Sequence, residues 1–389
     1  MDFDLSDEQR AVRDLCRDFA QNEVAPKAAH YDELGEFPYD LVAGMARLGL
    51  FALPFPESEG GHGGDFLSYC LALEEIARAD AALAITLEAA VSLGISPFVH
   101  FGTPEQKQRY LPSLLSGEKL WAFGLTEPDA GSDAGGTTTR AVRDGDEWVV
   151  NGRKVFITNA GTDISAGVTI TAVTGRGSEG EKQISAFAVE RGTPGYTQAP
   201  KYRKLGWHAS DTRELLFDDV RVPSGNLIGH EGAGFRQFLQ ILEGGRVAIA
   251  ALAVGLAQAC LDASLRHAAE RRQFGQPIAR FQANQFKLAD MATQIELARL
   301  MVWRAATLID RTGSAGVYAS MAKLHASEVA TACANQAVQI HGGYGFIEES
   351  PVARYYRDVK INEIGEGTSE VQRILIARHL LRPLGVGVD

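Results

Sequence analysis

The chain has 389 residues, with 38 Lys plus Arg against 49 Asp plus Glu, 45% hydrophobic residues and 22% charged ones. This is ordinary globular usage with enough apolar residue for more than one core, so wholesale disorder is excluded. The net charge of -11 repels phosphate backbones and anionic lipid surfaces, which argues against nucleic acid or membrane as main partner but allows a local basic pocket.

Cys16, Cys70, Cys260 and Cys333 are scattered, with neither CxxC nor zinc spacing, as suits a reducing compartment. Met1 to Arg10 are acidic and polar and read as neither a signal nor a transit peptide. The longest apolar run, residues 247–261, contains Gln258 and falls short of the ~20 residues that a membrane span needs. A soluble, cytoplasmic chain is expected.

From Ser6 to about Gly117 the pattern predicts helices. Ser6 with Gln9, and Thr103 with Gln106 around Pro104, fit capping boxes. Leu71 opens an apolar helical period that runs towards Ala90, while Gly60 to Gly64 reads as loop. Near Leu120 the character changes. Strands are predicted at 137–143, 148–150, 153–158, 168–173, 184–189 and 214–217, with Asn151-Gly152 as a two-residue hairpin turn. Short strands without intervening helices suggest an antiparallel sheet or barrel. From Gly234 onward long helical periods return, at 235–271, 282–311, 317–339 and 369–380. The expected fold is α+β and multidomain: an N-terminal all-α domain over 1–119, a middle antiparallel β-barrel-like domain over 120–232, and a C-terminal α-helical bundle over 233–389.

Several motifs carry less than their spelling. Gly175, Gly177 and Gly180 spell GxGxxG, but a strand pattern follows where a dinucleotide loop needs a helix N-terminus, so a hairpin loop is expected. SxxK occurs at Ser116–Lys119 and Ser320–Lys323 without companion motifs, and neither HExxH nor GxSxG is present. Serine-hydrolase and metal-hydrolase chemistry lose their main support, and no metal centre is expected.

Residues 123–133 (FGLTEPDAGSD) combine a strand-like entrance with small residues and hydroxyls that let backbone approach a ligand; alone they would be a Pro/Gly turn. Residues 363–370 (EIGEGTSE) put Glu366 just before a helix, with Ser369 and Gln372 as a capping box. Free helix N–H groups there favour the ionised carboxylate that a base requires. An exposed loop glutamate is the ordinary alternative.

Taken together, FGLTEPDAGSD, WVVNGRKVFITNA, ERRQFGQPIARFQ, AVQIHGGYGF and IGEGTSEVQR occur in an order that resembles the acyl-CoA dehydrogenase flavoenzymes along nearly the whole chain. The resemblance implies FAD between the β domain and the C-terminal bundle, partly held by a neighbouring subunit of a homotetramer. Phe123, Leu125, Thr126, Gly131 and Ser132 would line the flavin, with Ser132 also near substrate. Phe156, Ile157 and Thr158 match the family's aromatic-Ile-Thr segment against the isoalloxazine, where Trp is the usual first residue. Arg271, Gln273 and Phe274 match the segment that reaches the FAD pyrophosphate of the adjacent subunit. Gln282, Gln339, Gly342, Gly343, Thr368 and Glu370 match further FAD contacts.

By the same resemblance, Glu243 and Arg246 sit at the mouth of the substrate site, although an i, i+3 salt bridge on one helix is the plain alternative. Some branches carry the catalytic glutamate immediately before that arginine. Here the position is Gly245, which leaves Glu366 as the base. Gly365 and Gly367 flank it as substrate contacts, and Gly365 stands where many straight-chain relatives have Tyr. A helix terminus would lower the Glu366 pKa and an apolar pocket would raise it. The implied reaction is α,β-dehydrogenation of an acyl-CoA thioester, with electrons passed to an electron-transferring flavoprotein. An acyl-CoA oxidase and a non-enzymatic DNA-associated flavoprotein are the alternatives within the resemblance, and a purely structural helical protein is the alternative outside it.

Overall fold

The computed structural model describes residues 4–385, so Met1–Phe3 of the polar N-terminal stretch lie outside the described residues. Both N-terminal capping boxes form. Ser6 accepts from Gln9 N at 3.1 Å and Gln9 Oε1 accepts from Ser6 N at 2.9 Å, opening the helix Asp7–Phe19. Thr103 and Gln106 make the same reciprocal pair at Pro104–Leu115.

The helix Phe66–Ala79 is buried along most of its length because it packs against the C-terminal helix Gly234–Glu270. Residues of both helical regions belong to one hydrophobic core, while the sheet residues around Val150, Ile170 and Leu215 make a second. The first and last thirds of the chain thus fold onto each other, with the β region against them. Two stretches, Ala81–Phe101 and Gly234–Glu270, are long and apolar enough to cross a membrane by composition, a property the run length at 247–261 understated; the most apolar part of each is 89% buried inside the protein.

The middle region forms one eight-stranded sheet in the order Tyr196–Gln198, Thr212–Pro223, Glu147–Thr158, Arg140–Asp144, Ser165–Arg176, Lys182–Glu190 and Leu227–Ile228, with Leu120–Gly124 also on Ser165–Arg176. Most pairs are antiparallel, but Leu120–Gly124 runs parallel to its neighbour. Of the GxGxxG glycines, Gly175 ends the strand Ser165–Arg176, paired with Gln183, and Gly177 and Gly180 lie in the hairpin loop before Lys182–Glu190, as their context predicts.

The predicted Asn151-Gly152 hairpin turn is corrected. Glu147–Thr158 is one continuous strand, and the turn before it is made by Gly145 (φ 61°) and Asp146, between the paired residues Asp144 and Glu147. An Asn-Gly turn needs both central residues at positive φ, and Asn151 is not there; the turn that forms has only its first residue, Gly145, at positive φ, the type that takes glycine first. The Asn151 side chain instead exchanges hydrogen bonds of 3.0 and 2.9 Å with Asp219, while Gly152 (φ 154°) marks a register shift. The helix Pro351–Val359, with Pro351 at its first position, was not predicted. The longer C-terminal helices are Gly234–Glu270, Gln282–Thr312, Val317–His341 and Ser369–Leu381.

Candidate active site

Two segments expected at the flavin meet beside the strand Glu147–Thr158. Val155 N–H donates to Thr126 O at 2.9 Å, and Lys154 Nζ donates to Leu125 O at 3.2 Å. Beneath them Glu127 and Lys154, with side chains 2% and 0% exposed, form a 2.7 Å ion pair. The Glu127 carboxylate also accepts from Thr138 N at 2.6 Å, Thr138 Oγ1 at 2.7 Å and Thr139 N at 3.1 Å, with Thr137 Oγ1 a further donor. These bonds take up residues 137–139, which explains why the strand predicted from 137 begins only at Arg140. Burial works against a charged Glu127, but Lys154 and the other donors outweigh it and bring the pKa down to about 2. Neither residue was singled out from sequence, since their partners lie on other strands.

Phe156 emerges at a register shift between Lys154 and Ile157 with φ 62°, and the residue is 67% exposed. A non-glycine residue held there costs on the order of 1–3 kcal/mol and persists where the surroundings impose it. Ile157 is buried and Thr158 half-buried, so the bulge turns one aromatic face outward beside a hydroxyl. Gly131 and Ser132 are exposed in the preceding turn, where a Cβ added to Gly131 would meet nothing within 4 Å. Phe123 is turned inward, stacked on Phe238 with centroids 3.9 Å apart.

A second cluster lies at the ends of two helices. Arg271, Gln273, Gly342 and Gly343 line one cavity of about 560 Å³ together with His267, His341 and Tyr344. The Arg271 guanidinium lies over the Tyr344 ring at 5.6 Å and makes no ion pair with any described residue. Gln339 is exposed one turn earlier on Val317–His341, and Gln282 starts its helix outside that lining. Phe274 (φ 51°) forms the tip of a two-residue turn with Gly275 (φ 78°) and is 92% exposed.

The third cluster surrounds Glu366, itself left-handed at φ 53° and followed by Gly367 at φ 92°. The predicted Ser369–Gln372 capping box does not form. Thr368 is the cap, accepting from Val371 N at 3.2 Å, because Gln372 is buried and turns its amide back to Gly367 O at 2.9 Å and Glu366 O at 3.3 Å. Lys323 Nζ, 2.7 Å from Gly367 O, clamps the same loop from a second helix. Glu370 is exposed in the first turn.

Glu366 Oε2 is buried without a donor, and a Cβ built on Gly245 would lie 2.2 Å from it. Arg246 faces the same space with its Nε buried and unpartnered. The opposing effects on Glu366 are resolved by burial, which raises its pKa to about 7 against the influence of Lys323 and Arg246. Glu243 does not form the i, i+3 ion pair with Arg246; its Oε1 accepts from Ser314 Oγ at 2.7 Å, Ala315 N at 2.6 Å and Gly316 N at 2.9 Å. It ties the start of Val317–His341 to Gly234–Glu270. Glu88 went unnoticed in the sequence, yet it is fully buried within hydrogen-bonding reach of Glu366. Its signal was a lone acid in the otherwise uncharged stretch from Ala81 to Phe98.

The residues present fit a flat, anionic cofactor: an exposed aromatic face on strained backbone, and an arginine without a counterion beside two glycines. Sequence models of the acyl-CoA dehydrogenase N-terminal, middle and C-terminal domains match residues 6–118, 122–220 and 232–381. A probable acyl-CoA dehydrogenase of Bacillus subtilis is 55% identical over 382 residues, covering 98% of this chain and 100% of the relative. The solved butyryl-CoA dehydrogenase of Megasphaera elsdenii superposes with a TM-score of 0.95 at 45% identity, covering 98% of this chain and 100% of that one. A chain from a structure described as the electron transferring flavoprotein of Acidaminococcus fermentans gives a TM-score of 0.94 at 44% identity, with 98% and 100% covered. The chain belongs to the acyl-CoA dehydrogenase family of FAD-dependent oxidoreductases.

Proposed function

We propose that the chain converts an acyl-CoA thioester to its trans-2-enoyl-CoA, with Glu366 removing the α-proton. The observation that carries this is the Glu366 carboxylate itself: partly buried, with an oxygen free of any donor and an affinity for protons raised by burial. A base is most effective when its pKa lies near the working pH. Its own N–H donates to no described residue. That leaves a preorganised donor for the negative charge that develops on the thioester oxygen as Cα loses its proton. Bound FAD supplies the acceptor for the hydride that leaves Cβ. Phe156 would lie against the ring system with Thr158 beside it. Arg271, Gln273, Gly342 and Gly343 would hold the diphosphate of a neighbouring subunit's cofactor, for which a guanidinium fork is suited. Arg246, with its unpartnered Nε, is the cation available to the substrate's anionic end.

The electron acceptor we infer is an electron-transferring flavoprotein, supported by the likeness to the Acidaminococcus structure. A homotetramer is supported by the unpaired Arg271 and the exposed Phe274 on one turn, and a cytoplasmic location by four cysteines that are all free and buried. The test is turnover of a panel of acyl-CoAs with an artificial acceptor, by wild type and by Glu366→Gln. Loss of turnover in a variant that stays yellow is expected; a fully active variant would overturn the assignment.

A further inference from the structure

Glu88 closes the helix Ala81–Glu88, immediately before the chain widens into the π-helical turn Ala89–Ile95. Such turns cluster at functional sites. The residue is 0% exposed, and neither carboxyl oxygen has a protein donor. A buried, unpaired carboxylate is costly, and a second carboxylate beside it makes double ionisation costlier still. Glu366 is that second carboxylate.

The charged and titratable groups around the pair come from three further helices. Tyr69, on Phe66–Ala79, is fully buried and bonded to Ser92 Oγ at 3.1 Å. Arg246 on Gly234–Glu270 and Lys323 on Val317–His341 are the cations, and both act on Glu366. Glu88 has no cation beside it; it faces Glu366, Tyr69 and the Ser92 hydroxyl, which is bonded to Tyr69. One proton between the two carboxyls therefore belongs on Glu88, where it also supplies the donor that Glu366 Oε2 lacks.

On that basis, and resting on Glu366 as the base, we propose that Glu88 is a positioning residue: it stays protonated at neutral pH and donates a hydrogen bond to the Glu366 carboxylate. The bond orients one Glu366 oxygen, leaves the other for the α-proton, and favours the ionised base inside an apolar site. Charge-assisted bonds of this kind are the strong ones.

The test compares holoenzyme wild type with Glu88→Gln and Glu88→Leu, assayed with butyryl-CoA and an artificial acceptor across pH. Gln keeps a donor, so the acid limb of kcat/KM should stay in place. Leu removes it, so the limb should move up by about one pH unit, the scale of one charge-assisted bond. A limb that stays put in Glu88→Leu, or moves down as it would if a charged Glu88 were repelling Glu366, overturns the proposal. Infrared difference spectra of the holoenzymes at pH 8 give a readout free of turnover and of the Leu variant's folding. A protonated-carboxyl band should be present in wild type and Glu366→Gln but absent in Glu88→Gln; no band difference between wild type and Glu88→Gln overturns it. An active Glu366→Gln would sink the base assignment instead, which separates the two failures.

Discussion

A carboxylate that serves as base, the role proposed for Glu366, must be ionised when substrate arrives yet willing to take a proton, and at Glu366 burial sets that compromise. With a pKa near 7 in the folded protein, the ionised fraction falls as pH drops below that value, so kcat/KM should decline on the acid side by about tenfold per unit. Replacing Glu366 by Gln should lower turnover at least ~10²-fold, the low end for general-base catalysis. It should also affect stability, with a sign fixed by linkage. The folded pKa is raised, so ionising Glu366 opposes folding above the unfolded value, and this cost grows until pH passes about 7. Glu366→Gln should therefore raise the thermal midpoint at pH 8 and change it little at pH 4; a lower midpoint at pH 8 would contradict the burial argument. One residue earlier, Gly365 is not held by its backbone. Its φ lies outside the left-handed region, and an added Cβ would meet only Ile361 O at an ordinary 3.5 Å. What remains is the space a ring would fill. Gly365→Tyr should depress activity on branched or bulky acyl-CoAs far more than on butyryl-CoA, and equal losses on all substrates would show that the loop was distorted instead.

Between elements, the site depends on which helix presents the acid. The Gly245 face of Gly234–Glu270 and the Glu366 loop compete for one space, since a Cβ at 245 would fall 2.2 Å from Glu366 Oε2. Gly245→Ala alone should therefore cut turnover sharply, and adding Glu366→Gly should remove the clash. If Gly245→Ala turned over normally with the pH profile unchanged, the two positions would not overlap. The same comparison shows what the sequence made legible. The Glu366 motif and the helix behind it are contiguous in the chain, so their type and place could be read. The cap could not be placed to the residue, because Gln372 serves the Glu366 and Gly367 carbonyls and not the helix end. Asn151-Gly152 had the composition of a turn, but Asp219 on a neighbouring strand engages Asn151. Lys154 and Glu88 were hidden for the same reason: their meaning comes from Glu127 and Glu366, 27 and 278 positions away. Lys154→Met should be correspondingly severe, leaving a buried Glu127 unpaired, with about 3–5 kcal/mol lost in urea unfolding.

At the scale of the molecule, the helical regions before and after the sheet share one core, so the chain closes on itself. The order of elements was legible because helical and strand periods differ; the shared core was not, because it joins Phe66–Ala79 to Gly234–Glu270 across the whole β region. One group of exposed side chains lies around the turn after Gly234–Glu270. Arg271 has no described counterion, Phe274 is 92% exposed at a left-handed tip, and Tyr344 and Phe346 nearby are 58% and 87% exposed. An arginine and aromatics in that state suit an interface whose partner brings both apolar surface and negative charge. If the charge is the diphosphate of a neighbouring subunit's FAD, cofactor retention and assembly are one equilibrium, since whatever binds only the assembled form stabilises it. Arg271→Ala should then lose FAD more readily on dilution, read by flavin absorbance after gel filtration, and dissociate at higher protein concentration in sedimentation. Added FAD should restore assembly in the variant. Phe274→Ser should weaken assembly first and flavin retention as a consequence. A wild type that sediments as a fully flavinylated monomer would break the link, because the Arg271 cavity would then hold no part of another subunit's cofactor.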